Sequence, residues 1–268
     1  MKPRPFDYAR PDTADEAVAL LAEYGDEARV LAGGQSLMAM MNLRLADPAV
    51  LVDIARIQEL SHVRDRGDKI EVGAAVTQNK LLAWPELKAK LPLLAAALPH
   101  VGHFQTRNKG TVCGSIAHAD PSSEIPLSLA LLEGEVMLRK KGGERVIKAK
   151  DFQVDMLTTA REPDELIVAV RFPVHGKGVA FREVARRHGD FAMVAVAALA
   201  DGKGSIKLGV GGVASKPVVR TVKTDGDVGK LAGELEGYED LHASAELRRD
   251  ILRNLAPLVI AEAKKCAA

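Results

Sequence analysis

Two short stretches of this 268-residue chain carry residue types suited to holding a large anionic group. The first is Gly33-Gly34-Gln35-Ser36, which follows Ala32. Successive glycines let consecutive backbone N–H groups turn inward, and the start of a following helix adds positive potential. Together these suit a pyrophosphate. The same residues also make an ordinary tight strand-to-helix turn, and the motif alone leaves both readings open. The second stretch is Gly110-Thr111-Val112-Cys113-Gly114-Ser115, followed by Ala117-His118-Ala119-Asp120-Pro121-Ser122-Ser123-Glu124. Its small residues and hydroxyls permit close approach of a bulky ligand. It also reads as a loop that turns at Asp120-Pro121 and caps a helix at Ser122.

Other candidates fall away on inspection. Gly209 to Ala214 spells a formal GxGxxA after a strand, but Ser215-Lys216-Pro217 opens no helix and no acidic partner follows at the right distance. No GxxxxGK[ST] and no HExxH are present. His118 shows no triad partner and reads as a local polar contact. Cys113 has no assignable activating base and reads as a small packing residue. Arg186-Arg187-His188 is a solvated face or part of an interface. The chain has two cysteines, Cys113 and Cys266, so it cannot ligate an iron–sulfur cluster of four thiolates alone.

Elements that would position these residues can be read from periodicity and punctuation. Thr13 and Glu16 form a capping-box pattern before a helix over Ala17–Tyr24, stopped by Gly25. Ala28–Ala32 reads as a strand, Leu37–Leu43 as a helix and Val50–Ile54 as a buried strand. Gly67-Asp68 marks a hairpin. Thr77 caps a helix through Leu82, Pro85–Leu98 reads as one further helix, and His100–Gly110 reads as irregular. A Ser122/Ser123-capped helix runs to Leu132, a strand pair flanks Gly142-Gly143, and Leu166–Pro173 is a strand. Composition shifts at Pro173–Gly178, where a domain boundary is expected. The remainder reads as three strands, including Phe191–Ala200 despite its helix-forming alanines, and a terminal amphipathic helix over about Ala243–Lys264. The class is α+β.

Composition adds exclusions. The net charge of +1 gives no electrostatic case for nucleic acid. With 47% hydrophobic and 27% charged residues the chain is an ordinary globular protein. No apolar run suggests a transmembrane segment. The first residues carry no apolar signal region, so a cytoplasmic location is expected.

Four segments, in order, resemble the FAD-binding medium subunit of the molybdenum hydroxylases, the xanthine dehydrogenase and aerobic carbon monoxide dehydrogenase family. They are Leu31–Leu60, Val101–Pro126, Pro163–Pro173 and Phe181–Ala197. The resemblance implies a two-lobed FAD-binding domain of the vanillyl-alcohol-oxidase-like (PCMH) type over residues 1–173, with lobes about 1–55 and 56–173. A smaller α+β domain over 174–268 would close on the isoalloxazine. By position, Leu31, Ala32, Gly33, Gly34, Gln35, Ser36 and Leu37, with Val101, Gly110, Thr111, Cys113, Gly114, Ser115 and Ala117, would surround FAD. Asp120 and Glu124 fall where relatives bond the ribityl chain, Ile167 where an aliphatic side chain packs on the flavin ring, and Arg182 where a basic group approaches the ring's polar edge. Relatives commonly carry glycine where this chain has Cys113.

The implied role is a FAD-carrying electron-transfer subunit. A small subunit with [2Fe–2S] clusters would supply electrons, and a large subunit would hold the molybdenum cofactor and the organic substrate. An external acceptor would take the electrons away, with the assembly expected as a dimer of heterotrimers. The expected partner interface draws on Ala117–Ser123 and Arg186-Arg187. The competing readings are a self-sufficient flavin oxidase or reductase with the same fold and a non-catalytic binding protein.

Overall fold

The computed structural model describes residues 2–202 and 204–267. The chain begins with β1 (Asp7–Ala9), α1 (Ala14–Tyr24), β2 (Ala28–Leu31), α2 (Leu37–Asn42) and β3 (Val50–Asp53). The three strands form a parallel sheet in the order β1-β3-β2. Thr13 caps α1 by accepting from the Glu16 N–H, and Glu16 accepts in turn from the Asp12 N–H. Ala14, Ala17, Val18 and Leu21, at helical spacing, are its buried face.

The second unit runs through β4 (Val63–Asp65), β5 (Lys69–Gly73), α3 (Gln78–Leu82), α4 (Leu87–Lys90), α5 (Pro92–Ala97), α6 (Phe104–Lys109), α7 (Val112–His118) and α8 (Glu124–Leu131). It continues with β6 (Glu135–Lys140), β7 (Gly143–Lys148), α9 (Ala149–Phe152), β8 (Gln153–Asp155), β9 (Thr158–Thr159) and β10 (Leu166–Pro173). Its main sheet has the order β4-β5-β10-β6-β7, with β10 buried at the centre. Two sequence expectations are corrected here. The single helix over Pro85–Leu98 is broken into α4 and α5, because Leu91, preceding Pro92, is driven out of the helical region to φ −133°, ψ 57°. The stretch His100–Gly110 is not irregular: it contains α6, which buries none of its residues and therefore shows no apolar period.

The third unit is an antiparallel meander, β11 (Val179–Val184), β12 (Val194–Ala200), β13 (Ile206–Gly211) and β14 (Val218–Val222), followed by α10 (Asp225–Glu234) and α11 (Ala245–Ala267). β12 is buried on both faces, so its strand assignment stands over its alanine content. Side chains alternate across a strand. Ala195, Ala197 and Leu199 join the large core shared with the first two units, while Val194, Val196, Ala198 and Ala200 join a second core beneath α10 and α11. Leu252, Ala256, Val259, Ile260 and Ala263 are the α11 residues in that second core.

Arg248, on α11, is 1% exposed. Its Nη1 donates to the carbonyls of Met193 (2.5 Å) and Gly212 (2.9 Å), and its Nη2 pairs with Asp240 at 2.7 Å. Its guanidinium also lies 4.2 Å from the Tyr238 ring centroid. Arg248 thus ties α11 to the start of β12 and the end of β13. Arg248→Ala would leave the Met193 and Gly212 carbonyls without this donor, and should cost about 2–5 kcal/mol in urea unfolding.

Candidate functional site

The two glycine stretches meet. A Cβ on Gly33 would lie 2.1 Å from the Lys109 carbonyl oxygen and 2.7 Å from the Gly110 Cα, so only glycine allows these backbones to touch. Gly34 adopts φ +68°, the left-handed turn that swings the chain from β2 into α2. The N–H groups of Gly33, Gly34, Gln35, Ser36 and Leu37 make no hydrogen bond to a described residue. On the other side, the second stretch is mostly helix: α7 starts at Val112 with Thr111 as its cap, whose hydroxyl accepts from the Gly114 N–H at 2.9 Å. A Cβ on Gly114 would fall 2.7 Å from that hydroxyl. α7 is fastened to the start of α3 by Gln78 N–H to Gly110 (2.9 Å) and Val112 N–H to Val76 (3.1 Å).

These elements wall a cavity of about 600 Å³, within the usual range for cofactor sites. Of the residues expected around FAD, Ala32, Gly33, Gly34, Gln35, Ser36, Leu37, Val101, Gly110, Thr111, Cys113, Gly114, Ser115, Ala117, Glu124 and Ile167 line it. Ile167 sits at a register shift between β10 and β6, a bulge that re-aims a strand side chain.

Three expected residues lie elsewhere. Leu31 is not in the wall; its side chain packs under Gly34. Asp120 lines an adjoining cavity of about 740 Å³ and accepts from the Ser122 N–H at 2.8 Å. Arg182 shares the face of Ala180, toward the second core, and pairs with Glu262 of α11 at 2.9 Å. The strand's alternation instead gives Glu183 the side of Phe181. Of the expected interface residues, Ala119 and Pro121–Ser123 are buried within the chain, while Arg186 and Arg187 stay exposed and pair with Asp190.

The structure adds residues that sequence reading missed. Gln78 is buried in the wall with Oε1 lacking a partner among the described residues. Arg29 and Arg161 also line the cavity, and burial and the Arg29 charge both disfavour the charged form of Arg161. Gly189, Asp190 and Phe191 complete the wall. Only Gln78 had a local signal, its place after the Thr77 cap. The arginines arrive from segments far apart in sequence.

FAD fits this arrangement. Unbonded N–H groups beside a glycine cradle suit a pyrophosphate. The orphaned Gln78 acceptor suits a ligand rich in hydroxyl and amino donors, and an anion would relieve the repulsion between Arg29 and Arg161. Glu124 lines the same cavity at 3% exposure. Burial first, then the nearby Glu183 and Asp120, lifts its carboxyl from 4.5 to about 8. Burial lowers the His118 pKa.

Cys113 takes the second position of α7, where no positive φ is required, and its thiol donates to the Val72 carbonyl at 3.5 Å. Burial pushes that thiol far above the usual range, so it is no nucleophile. Cys266 is exposed. A colourimetric thiol reagent should titrate one thiol per native chain and two in denaturant; fast reaction of both in the native protein would contradict this placement.

The family described as the FAD binding domain in molybdopterin dehydrogenase matches residues 4–175. The chain is 35% identical to the 6-hydroxypseudooxynicotine dehydrogenase complex subunit alpha of Paenarthrobacter nicotinovorans, over 98% of this chain and 96% of that one. It is 34% identical to the carbon monoxide dehydrogenase medium chain of Hydrogenophaga pseudoflava, over 92% and 86%. Among solved structures, quinoline 2-oxidoreductase from Pseudomonas putida 86 superposes with a TM-score of 0.91 at 31% identity, covering 100% of this chain and 99% of that one. The chain belongs to the FAD-binding medium subunits of the molybdenum hydroxylases, and is an oxidoreductase subunit of that family.

Proposed function

We propose that this chain is the electron-transfer subunit of a heteromeric molybdenum hydroxylase, taking electrons from a [2Fe–2S] partner and passing them to an external acceptor. The observation that carries the reading is the run of unbonded N–H groups at Gly33–Leu37, held against the start of α7 by the close contact of Gly33 with Gly110. Bound FAD supplies the redox chemistry. The chain's own residues bind and orient it. Gly33–Leu37 would hold the pyrophosphate from one side, and Thr111 and Gly114 keep α7 in place on the other. Ile167 would pack on the ring. Its two cysteines give the chain no cluster of its own, which supports a partner that carries the iron–sulfur centres, with a large chain for the molybdenum cofactor and substrate. We take the assembly to be a cytoplasmic dimer of heterotrimers.

Gly33→Ala should force the two backbones apart. Losing two charge-assisted hydrogen bonds, at about 1.5–3 kcal/mol each, would weaken FAD binding a hundredfold or more. Gly114→Val should have the same direction through the Thr111 cap. Gly143, with open space around it, provides a neutral control as Gly143→Ala. Flavin per folded protein reads all three; full occupancy in the first two would sink the site assignment. For the electron-transfer role, the FAD-loaded chain should be reduced by dithionite yet oxidise no organic substrate until small and large subunits are added. Turnover by the isolated chain at the rate of the complex would replace this reading with a self-sufficient flavin enzyme.

A further inference from the structure

One nitrogen of Arg107, on α6, gathers a stretch of backbone at the cavity edge. Its Nη1 donates to the carbonyls of Pro99 (3.3 Å), Val101 (3.0 Å) and Gly102 (2.8 Å). Its Nε is buried and has no partner among the described residues. Arg107 itself does not line the cavity, whereas Val101, Gly102 and Thr106 beside it do. Gly102 adopts φ +53°, and a Cβ there would lie 2.9 Å from the Thr106 side chain. The third unit closes on the same place: a Cβ on Gly189 would meet the Gly102 carbonyl carbon at 3.0 Å.

The peptide bond decides what these contacts do on their far side. The Val101 C=O and the Gly102 N–H belong to one planar trans unit and point in opposite directions. Drawing that carbonyl toward Arg107 turns the N–H away from Arg107, to the side of the cavity. The Gly102 N–H makes no hydrogen bond to a described residue. A cation on the carbonyl also polarises the peptide and strengthens the donor at its other end.

We propose that the Gly102 N–H is a further cofactor-binding donor of this cavity, and that Arg107 is the positioning residue that aims it. The proposal rests on the FAD-binding reading and deepens it. The ligand group is an acceptor oxygen of FAD, on the pyrophosphate or on the flavin half. The donor sits at the opposite end of α6 from the contact of Gly33 with Lys109 and Gly110. It therefore acts beside the Gly33–Leu37 run and is separable from it.

Amide exchange resolved to single residues, with and without FAD, tests this on the whole chain. In wild type FAD should slow exchange at Gly102 as well as at Gly33–Leu37. In Arg107→Met the slowing at Gly102 should be lost while that at Gly33–Leu37 remains, and FAD affinity should fall about tenfold, the worth of one good hydrogen bond. Arg107→Lys should bring part of both back, because a single nitrogen makes all three bonds in wild type. ADP in place of FAD distinguishes the two sources of the acceptor: slowing at Gly102 by ADP assigns it to the pyrophosphate, and slowing by FAD alone assigns it to the flavin half. Thermal midpoints show whether each variant is folded; if Arg107→Met is not, Arg107→Lys carries the comparison, with a smaller loss at Gly102 alone. Wild type that slows at Gly33–Leu37 but not at Gly102 overturns the donor. A folded Arg107→Met that keeps the slowing at Gly102 and the wild-type affinity overturns the positioning role. FAD that slows neither segment would instead overturn the flavin reading.

Discussion

Backbone lies on backbone at Gly33, and the site depends on it. No side chain fits between this residue and Lys109–Gly110. The contact joins the parallel sheet of the first unit to the helical connection of the second. Because β2 ends there and α6 stops there, the starts of α2 and α7 border one cavity. The residues with unbonded N–H groups, Gly33–Leu37, line that cavity. Thr111 adds the second constraint: its hydroxyl caps α7, and the bonds of Gln78 and Val112 across the Thr77–Thr111 bridge hold the helix start against α3.

The third unit closes the cavity through strand geometry. β12 separates two cores, so a neighbour's side chain falls on one side or the other by parity alone. That decides the fate of Arg182 and Glu183. The arginine goes to α11 and an ion pair with Glu262; the glutamate goes toward His100 and the large core. Arg248 holds the base of the segment that carries Gly189–Phe191 into the wall, through its bond to the Met193 carbonyl. A residue of the last helix therefore supports a site built mainly from the first half of the chain.

Most of this was legible in sequence where the signal was local. The Thr13 cap, the Gly67 hairpin and the glycine run after β2 have short-range causes, and the residues of the glycine run line the cavity. The break at Leu91 was also local, and Pro92 announced it. Other features had no local signature. α6 is exposed and aperiodic. Arg29 and Arg161 come together only in the folded chain. Arg182 and Glu183 are neighbours in sequence, and placing them requires the register of β11 on β12, which pairs Arg182 with Val196.

Amide hydrogen exchange, with and without FAD, addresses the central claim most directly. The account predicts that FAD slows exchange at Gly33–Leu37, whose N–H groups have no acceptor among the described residues, while β12 and β13 change little. Unchanged exchange at Gly33–Leu37 in a chain that has bound FAD would contradict it.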